Sequence, residues 1–211
     1  MTARLLGEMM KTSLGPKGMR KIVGDVHGDV VVSGDGATIL KELSVRHPAA
    51  KIMVQASNAV AEEVGDGTTS TVVLAGALLE KASELLDKGV HPAVIVEGYT
   101  KAANQALRLL DEISIRIPAG DKKWLMKVVK VSMSSEPILG HPVLVSIVVE
   151  AAQNIADNAD GKFRVDMGNA QVKRRAGLLH DSHLISGLII DKSVVHPGMP
   201  KRVEHARIAL I

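Results

Sequence analysis

Across residues 48–113 apolar side chains return every third or fourth position, and that period decides most of what the chain can become. Met53, Ala56, Val60 and Val64 keep it in a first stretch, Val72, Ala75, Leu79, Ala82 and Leu86 in a second, and Ile95, Tyr99, Ala102, Ala106, Leu109 and Ile113 in a third. Each stripe is one face of a helix, so three consecutive helices must find something to bury those faces against. The breaks between them are chemically explicit. GDGTT (65–69) separates the first two, Lys88 and Gly89 close the second, and Pro92 opens the third at a position where its missing N–H costs nothing.

The flanks are read in the same way. LLGEMMKTSL (5–14) is an amphipathic half-helix that starts almost at residue 1 with no cap before it, and Gly15 with Pro16 ends it. Residues 20–26 and 29–33 form two β-rich runs joined around His27 and Gly28, which predicts a hairpin. Trp124, Leu125, Val128 and Val131 predict a helix ending near SMSSEP, and Val143, Ile147, Ala151 and Ile155 another ending near DNADG. From Gly161 the pattern turns β-like: KFRVDM, AQVKRR, HLISGLIIDKSVV and the terminal ARIALI read as strands. Boundaries are expected near Pro118 to Asp121 and near Leu188 to His196. The fold class is α+β, predominantly α. An uncapped first helix and a last strand that stops without a turn lead us to expect that the sequence belongs to a longer polypeptide.

Composition narrows the function. With 211 residues and 46% hydrophobic content there is enough material for a buried core, yet Trp, Tyr and Phe occur once each, so aliphatic side chains must build it. Nucleic acid is a poor partner: stacking platforms are lacking and the net charge is only +3, with both signs interspersed. No cysteine is present, which removes disulfides and thiolate chemistry. No run approaches the roughly 20 apolar residues of a membrane span, and the first residues lack a secretory core. A cytoplasmic protein without a membrane partner is expected.

The chemistry concentrates at GDGTTS. Thr68, Thr69 and Ser70 would occupy the first turn of a helix, where unpaired N–H groups and the positive dipole end suit phosphate. Gly65 and Gly67 permit close backbone approach. A bare Asp66 carboxylate would repel that phosphate unless a hard cation takes oxygen ligands from both, and the combination points to a metal-bridged polyphosphate such as Mg-ATP. A plain helix start fits the same residues, since Asp-Gly and Thr are common there, and that alternative stays open. Asp35, in Gly34-Asp35-Gly36, is a second acid in a glycine-flanked loop. Should the loops meet, it could orient or deprotonate a water for attack on the γ-phosphate; as a simple turn signal it would do nothing of the kind. LGPKG would supply a third loop, with Lys17 as counter-charge. No P-loop pattern occurs. The histidines show no metal-ligand spacing, and His47, His91, His141 and His196 each precede Pro, which reads as punctuation. Ser134 and Ser135 lack a nucleophile setting. Lys173, Arg174 and Arg175 read as a solvated strand face.

LGPKGM (14–19), GDVVVSGDGATILKEL (28–43), HPAAKI (47–52), EVGDGTTSTVVLAG (63–76), HPAVIVEGY (91–99) and VVHPGMPKRVEHARIALI (194–211) together resemble the group II chaperonins, the archaeal thermosome and its eukaryotic cytosolic counterpart. The resemblance runs nearly end to end and in order. It implies an ATP-driven protein-folding subunit that works in a double ring with homologous subunits and holds unfolded client proteins. It implies a helical equatorial nucleotide-binding domain with a β-hairpin over 1–118, a smaller α/β intermediate segment over 119–188, and the first strands of an apical client-binding domain over 189–211. Carried over by position, Leu14, Gly15 and Pro16 line the nucleotide, Asp66 ligates Mg2+, Gly67, Thr68, Thr69 and Ser70 hold phosphates, and Asp35 helps activate water. Two positions depart from the family pattern. Gly34 stands where Asn is usual, and Glu136 follows the Ser pair where Lys is frequent. Residues 163–180 also fit that pattern poorly.

Overall fold

The computed structural model describes residues 2–208 apart from 25–27, 29, 44, 119, 136–139 and 160–161. Seven helices occur among them: α1 (Thr2–Lys11), α2 (Gly36–Glu42), α3 (Pro48–Glu63), α4 (Thr68–Asp87), α5 (Pro92–Ile113), α6 (Lys122–Ser132) and α7 (Pro142–Asn154). Two antiparallel hairpins accompany them. β1 (Lys21–Gly24) pairs with β2 (Val30–Ser33) in the register Lys21 to Ser33, and β3 (Ala156–Ala159) pairs with β4 (Lys162–Val165) in the register Ala156 to Val165. The predominantly α class with a hairpin is what the periodicity predicted.

The core explains the order. Leu6 and Met10 of α1, Val23 of β1, Ile39 and Leu40 of α2, Ala50 and Met53 of α3 and Val72 of α4 form one buried cluster. The two helices α1 and α4 run antiparallel through it. Arg4 meets Glu80 at 3.3 Å near one end, and Gly7 faces Gly76 further along. A methyl on Gly76 would lie 3.0 Å from the Gly7 Cα and 3.1 Å from the Ala3 carbonyl oxygen, so the backbones touch where neither helix carries a side chain. That register directs the end of α1, and the loop that follows, toward the entrance of α4. Tyr99 ties α5 to α4 by donating to the Leu78 carbonyl at 2.6 Å. Val145 and Val149 of α7 are buried, and the Lys122 to Glu150 contact at 3.1 Å links α6 to α7.

Histidine is indeed punctuation here, with a mechanism. His47, His91 and His141 are the N-caps of α3, α5 and α7, each accepting through Nδ1 from the amide two residues on, across the proline that occupies the first helical position. His196 does the same in a turn, accepting from the Gly198 amide at 3.1 Å.

The strands expected after residue 165 are not formed. Over 170–208 the described backbone has no strand, only a 3₁₀ turn at Leu179–Asp181, and Val172, Leu188, Val195 and Ile208 are exposed. Alternating hydrophobicity supplies one requirement of a strand; a neighbouring edge to take its N–H and C=O groups is the other, and these segments have none among the described residues. Ala209 to Ile211 of the expected last strand lie outside the described residues. The converse error occurs at β3, whose ADNA sequence carries poor strand formers yet pairs with KFRV.

Candidate functional site

The site is best built from α4. Gly67 is the residue before its first turn and stands in the left-handed region, with φ 83° and ψ 6°, where a Cβ would be strained. No side chain caps this helix start, so the Thr69 and Ser70 amides are left for an incoming acceptor. Thr71 donates its hydroxyl to the Gly67 carbonyl at 3.0 Å, and the Ser57 hydroxyl donates to the Thr68 carbonyl at 3.3 Å. A 20-residue helix thus presents a fixed, uncapped, positive end.

Asp66 lies beside that end. Its Oδ1 accepts from the Gly67 amide at 2.6 Å, and its other oxygen carries no protein hydrogen bond, in an exposed side chain. The plain helix cap considered above is therefore not the role of Asp66, because its carboxylate does not reach the amides of the first turn. Asp35 does have that role in its own helix. It is the N-cap of α2, and Oδ2 accepts from the Thr38 amide at 2.8 Å and the Thr38 hydroxyl at 2.7 Å. Both bonds fall on one oxygen, and the second stays uncommitted.

The two acidic loops meet. Gly36, next to Asp35, lies directly on the α4 entrance: a methyl there would come within 2.8 Å of the Thr69 amide nitrogen. Only glycine lets the α2 start approach so closely. Leu14, Gly15 and Pro16 lie in the loop after α1, which the antiparallel register brings to the same end of α4; Gly15 has φ 86° and all three are exposed. That loop is held by the Met19 amide donating to the Thr12 carbonyl at 2.8 Å and by the buried Ser13 hydroxyl donating to the Met19 carbonyl at 2.9 Å. Lys17 is exposed in it. Glu136, the departure near the Ser pair, lies outside the described residues, and Ser134 is bonded locally to the Val131 carbonyl at 2.6 Å.

Chemically the arrangement offers two exposed carboxylates next to free amides and hydroxyls. Neighbouring negative charge repels an approaching phosphate, and a hard cation shared between carboxylate and phosphate oxygens removes the conflict. Among the described residues no group of three or more His, Asp or Glu side chains could hold a metal. The donor set fits a cation that keeps water and phosphate oxygens as most of its ligands, as Mg2+ does. Sequence reasoning missed Ser57 and the Gly7 to Gly76 contact. Ser57 gave no signal beyond a polar residue within a helical stretch, whereas Gly76 between two alanines on a core face could have been read as a close helix crossing.

The sequence matches the TCP-1/cpn60 chaperonin family over residues 6–211. This chain belongs to that family. It is 48% identical over 215 residues to thermosome subunit alpha of Archaeoglobus fulgidus, 46% over 216 to thermosome subunit alpha of Aeropyrum pernix and 45% over 213 to the thermosome subunit of Pyrococcus horikoshii. In each case the match covers 100% of this chaperonin chain and 39% of the relative. Among its described residues no helix is long and apolar enough to cross a membrane.

Proposed function

We propose that this chain is part of an ATP-dependent chaperonin subunit, in which Mg-ATP binds at the α4 entrance and drives the folding of unfolded client proteins inside a cytoplasmic double ring of homologous subunits. The observation that carries the reading is the contact of Gly36 with Thr68 and Thr69, which joins the Asp35 loop to an uncapped helix start beside Asp66. In this scheme the Thr69 and Ser70 amides, with the Thr and Ser hydroxyls, take phosphate oxygens. Asp66 would hold Mg2+, which neutralises charge on the phosphates when bound. Leu14, Gly15 and Pro16 line the nucleotide, and the free oxygen of Asp35 accepts a hydrogen bond from the attacking water, orienting it. The partition into an equatorial domain over 1–118, an intermediate segment over 119–188 and the start of an apical domain over 189–211 belongs to the same proposal.

The chain spans 39% of the length of these relatives, and α4 and α5 expose Leu74, Leu79, Leu107, Leu110 and Ile113. We therefore expect the 211-residue polypeptide by itself to bind Mg-ATP weakly and to self-associate through that face. Calorimetric titration with ATP, with and without Mg2+, is the test. Binding that strengthens with Mg2+, and loses that dependence in Asp66→Ala, supports the assignment; Mg2+ dependence that survives Asp66→Ala refutes it. A second reading, a ring-interaction module without turnover, is favoured by the same exposed apolar face. It predicts self-association with no ATP hydrolysis, read by phosphate release.

A further inference from the structure

Among the described residues the buried polar side chains are Ser13, Ser57 and Thr68, and all three lie beneath the loops of the candidate site. Ser57 is the extreme case. It sits on α3 with 0% exposure, among Ala50 and Met53 on the buried face of that helix, where a hydroxyl without a partner would be costly. A serine in a helix commonly bonds back to its own preceding turn. This one instead crosses to α4 and donates to the Thr68 carbonyl at 3.3 Å. Thr68 is itself buried, and its side chain abuts Gly36. The contact chain runs from α3 through Ser57 to the first turn of α4 and on to the Asp35 loop.

We propose that Ser57 is a positioning residue of the nucleotide site, fixing the first turn of α4 so that its free amides and the Gly36 approach stay in register. The proposal rests on the nucleotide reading given above and adds a residue that touches neither phosphate nor cation. The hydroxyl pulls on a carbonyl at the opening turn, where a helix otherwise frays because few hydrogen bonds hold it. Without it the Thr69 and Ser70 amides sample more orientations, and an anion must pay for ordering them. Loss of one such buried hydrogen bond is expected to weaken Mg-ATP binding about three- to tenfold.

Tyr99 supplies a control on the same helix, through an exposed bond. Its hydroxyl also donates to a carbonyl of α4, that of Leu78, further along the same helix and away from the entrance. The experiment compares the whole chain with Ser57→Ala, Tyr99→Phe and Gly36→Ala, following the Thr69 and Ser70 amide resonances during Mg-ATP titration; chemical shifts report weak binding. Thermal melts are recorded in parallel. Ser57→Ala is expected to shift these resonances before nucleotide is added, to speed hydrogen exchange at the Val72 amide, and to weaken the titration. Gly36→Ala should disturb the same resonances from the other side. Tyr99→Phe should lower the melting temperature and leave the titration unchanged. A responsive wild type in which Ser57→Ala binds as tightly as the parent overturns the positioning role alone. Equal weakening in Ser57→Ala and Tyr99→Phe also overturns it, since general destabilisation then explains both. A wild type whose Thr69 and Ser70 resonances ignore Mg-ATP overturns the nucleotide reading, and the positioning role with it.

Discussion

Replacing Gly76 by alanine should destabilise the chain, although helix propensity alone says the reverse. Gly76 lies mid-helix in α4, and glycine there costs about 1 kcal/mol relative to alanine, so propensity favours the substitution by that amount. Packing opposes it. The new methyl would lie 3.0 Å from the Gly7 Cα and 3.1 Å from the Ala3 carbonyl oxygen, both backbone atoms that cannot rotate aside. Carbon atoms pack best near about 3.5–4.0 Å, so α1 must retreat from α4 by roughly half an ångström or more. Overpacking of this kind costs about 1–3 kcal/mol, and a shift of α1 disturbs Leu6 and Met10 in the core as well. The expected balance is a loss of up to about 2 kcal/mol, lowering the melting temperature by up to about 8 °C for a chain of this size. Gly98, on exposed α5, is the internal reference: nothing lies within 4 Å of a methyl placed there. Gly98→Ala should therefore stabilise by about 0.5–1 kcal/mol, the same substitution with the opposite sign. Denaturant unfolding followed by circular dichroism reads both. Stabilisation in both variants would refute the close backbone contact of α1 and α4.

Other outcomes follow from the same structure. Asp35→Ala should cost about 1 kcal/mol through loss of the α2 cap, while Asp35→Asn keeps most of that stability, so a melt of the two variants separates capping from any role of the charge. His91→Ala should destabilise by about 0.5–2 kcal/mol and fray the start of α5, and His91→Asn should restore much of the loss, as read from hydrogen exchange at Ala93. The hydrogen bond from Lys122 and its charge hold the Glu150 carboxyl below its ordinary value, with Ser146 adding to the effect. A lowered pKa means the ionised form is favoured in the fold, so this contact is at full strength above the ordinary carboxylate range and is lost as pH falls through the lowered value. Lys122→Gln should move the Glu150 titration upward in a carboxyl NMR experiment; an unmoved midpoint would mean that the α6 to α7 contact is not made in solution.

What the sequence disclosed, and what it hid, divides along the distance over which each signal acts. The helices α3, α4 and α5 could be read because their stripes, the GDGTT break and the proline start at 92 are local. The β1–β2 hairpin and the breaks at Gly15 and Gly89 were legible for the same reason. Residues 170–208 were misread because alternation at Val172 or Ile189 says nothing about whether a pairing edge exists. At the site, chemistry was legible one loop at a time. That Asp35 and Asp66 stand in loops that touch depends on Gly36 resting on Thr69, a contact between residues more than thirty positions apart. Ser57 escaped notice because its partner is a backbone carbonyl, which leaves no trace in residue identity.

The antiparallel pairing of α1 with α4 sets a schedule for synthesis. Lys11 is made 76 residues before Asp87, so a ribosome adding about 5–20 residues per second leaves the first helix waiting about 4–15 s for its mate. During that interval Leu6 and Met10 have no lasting shelter. Until α4 emerges, the nascent chain carries an apolar helix face with nothing yet made to cover it.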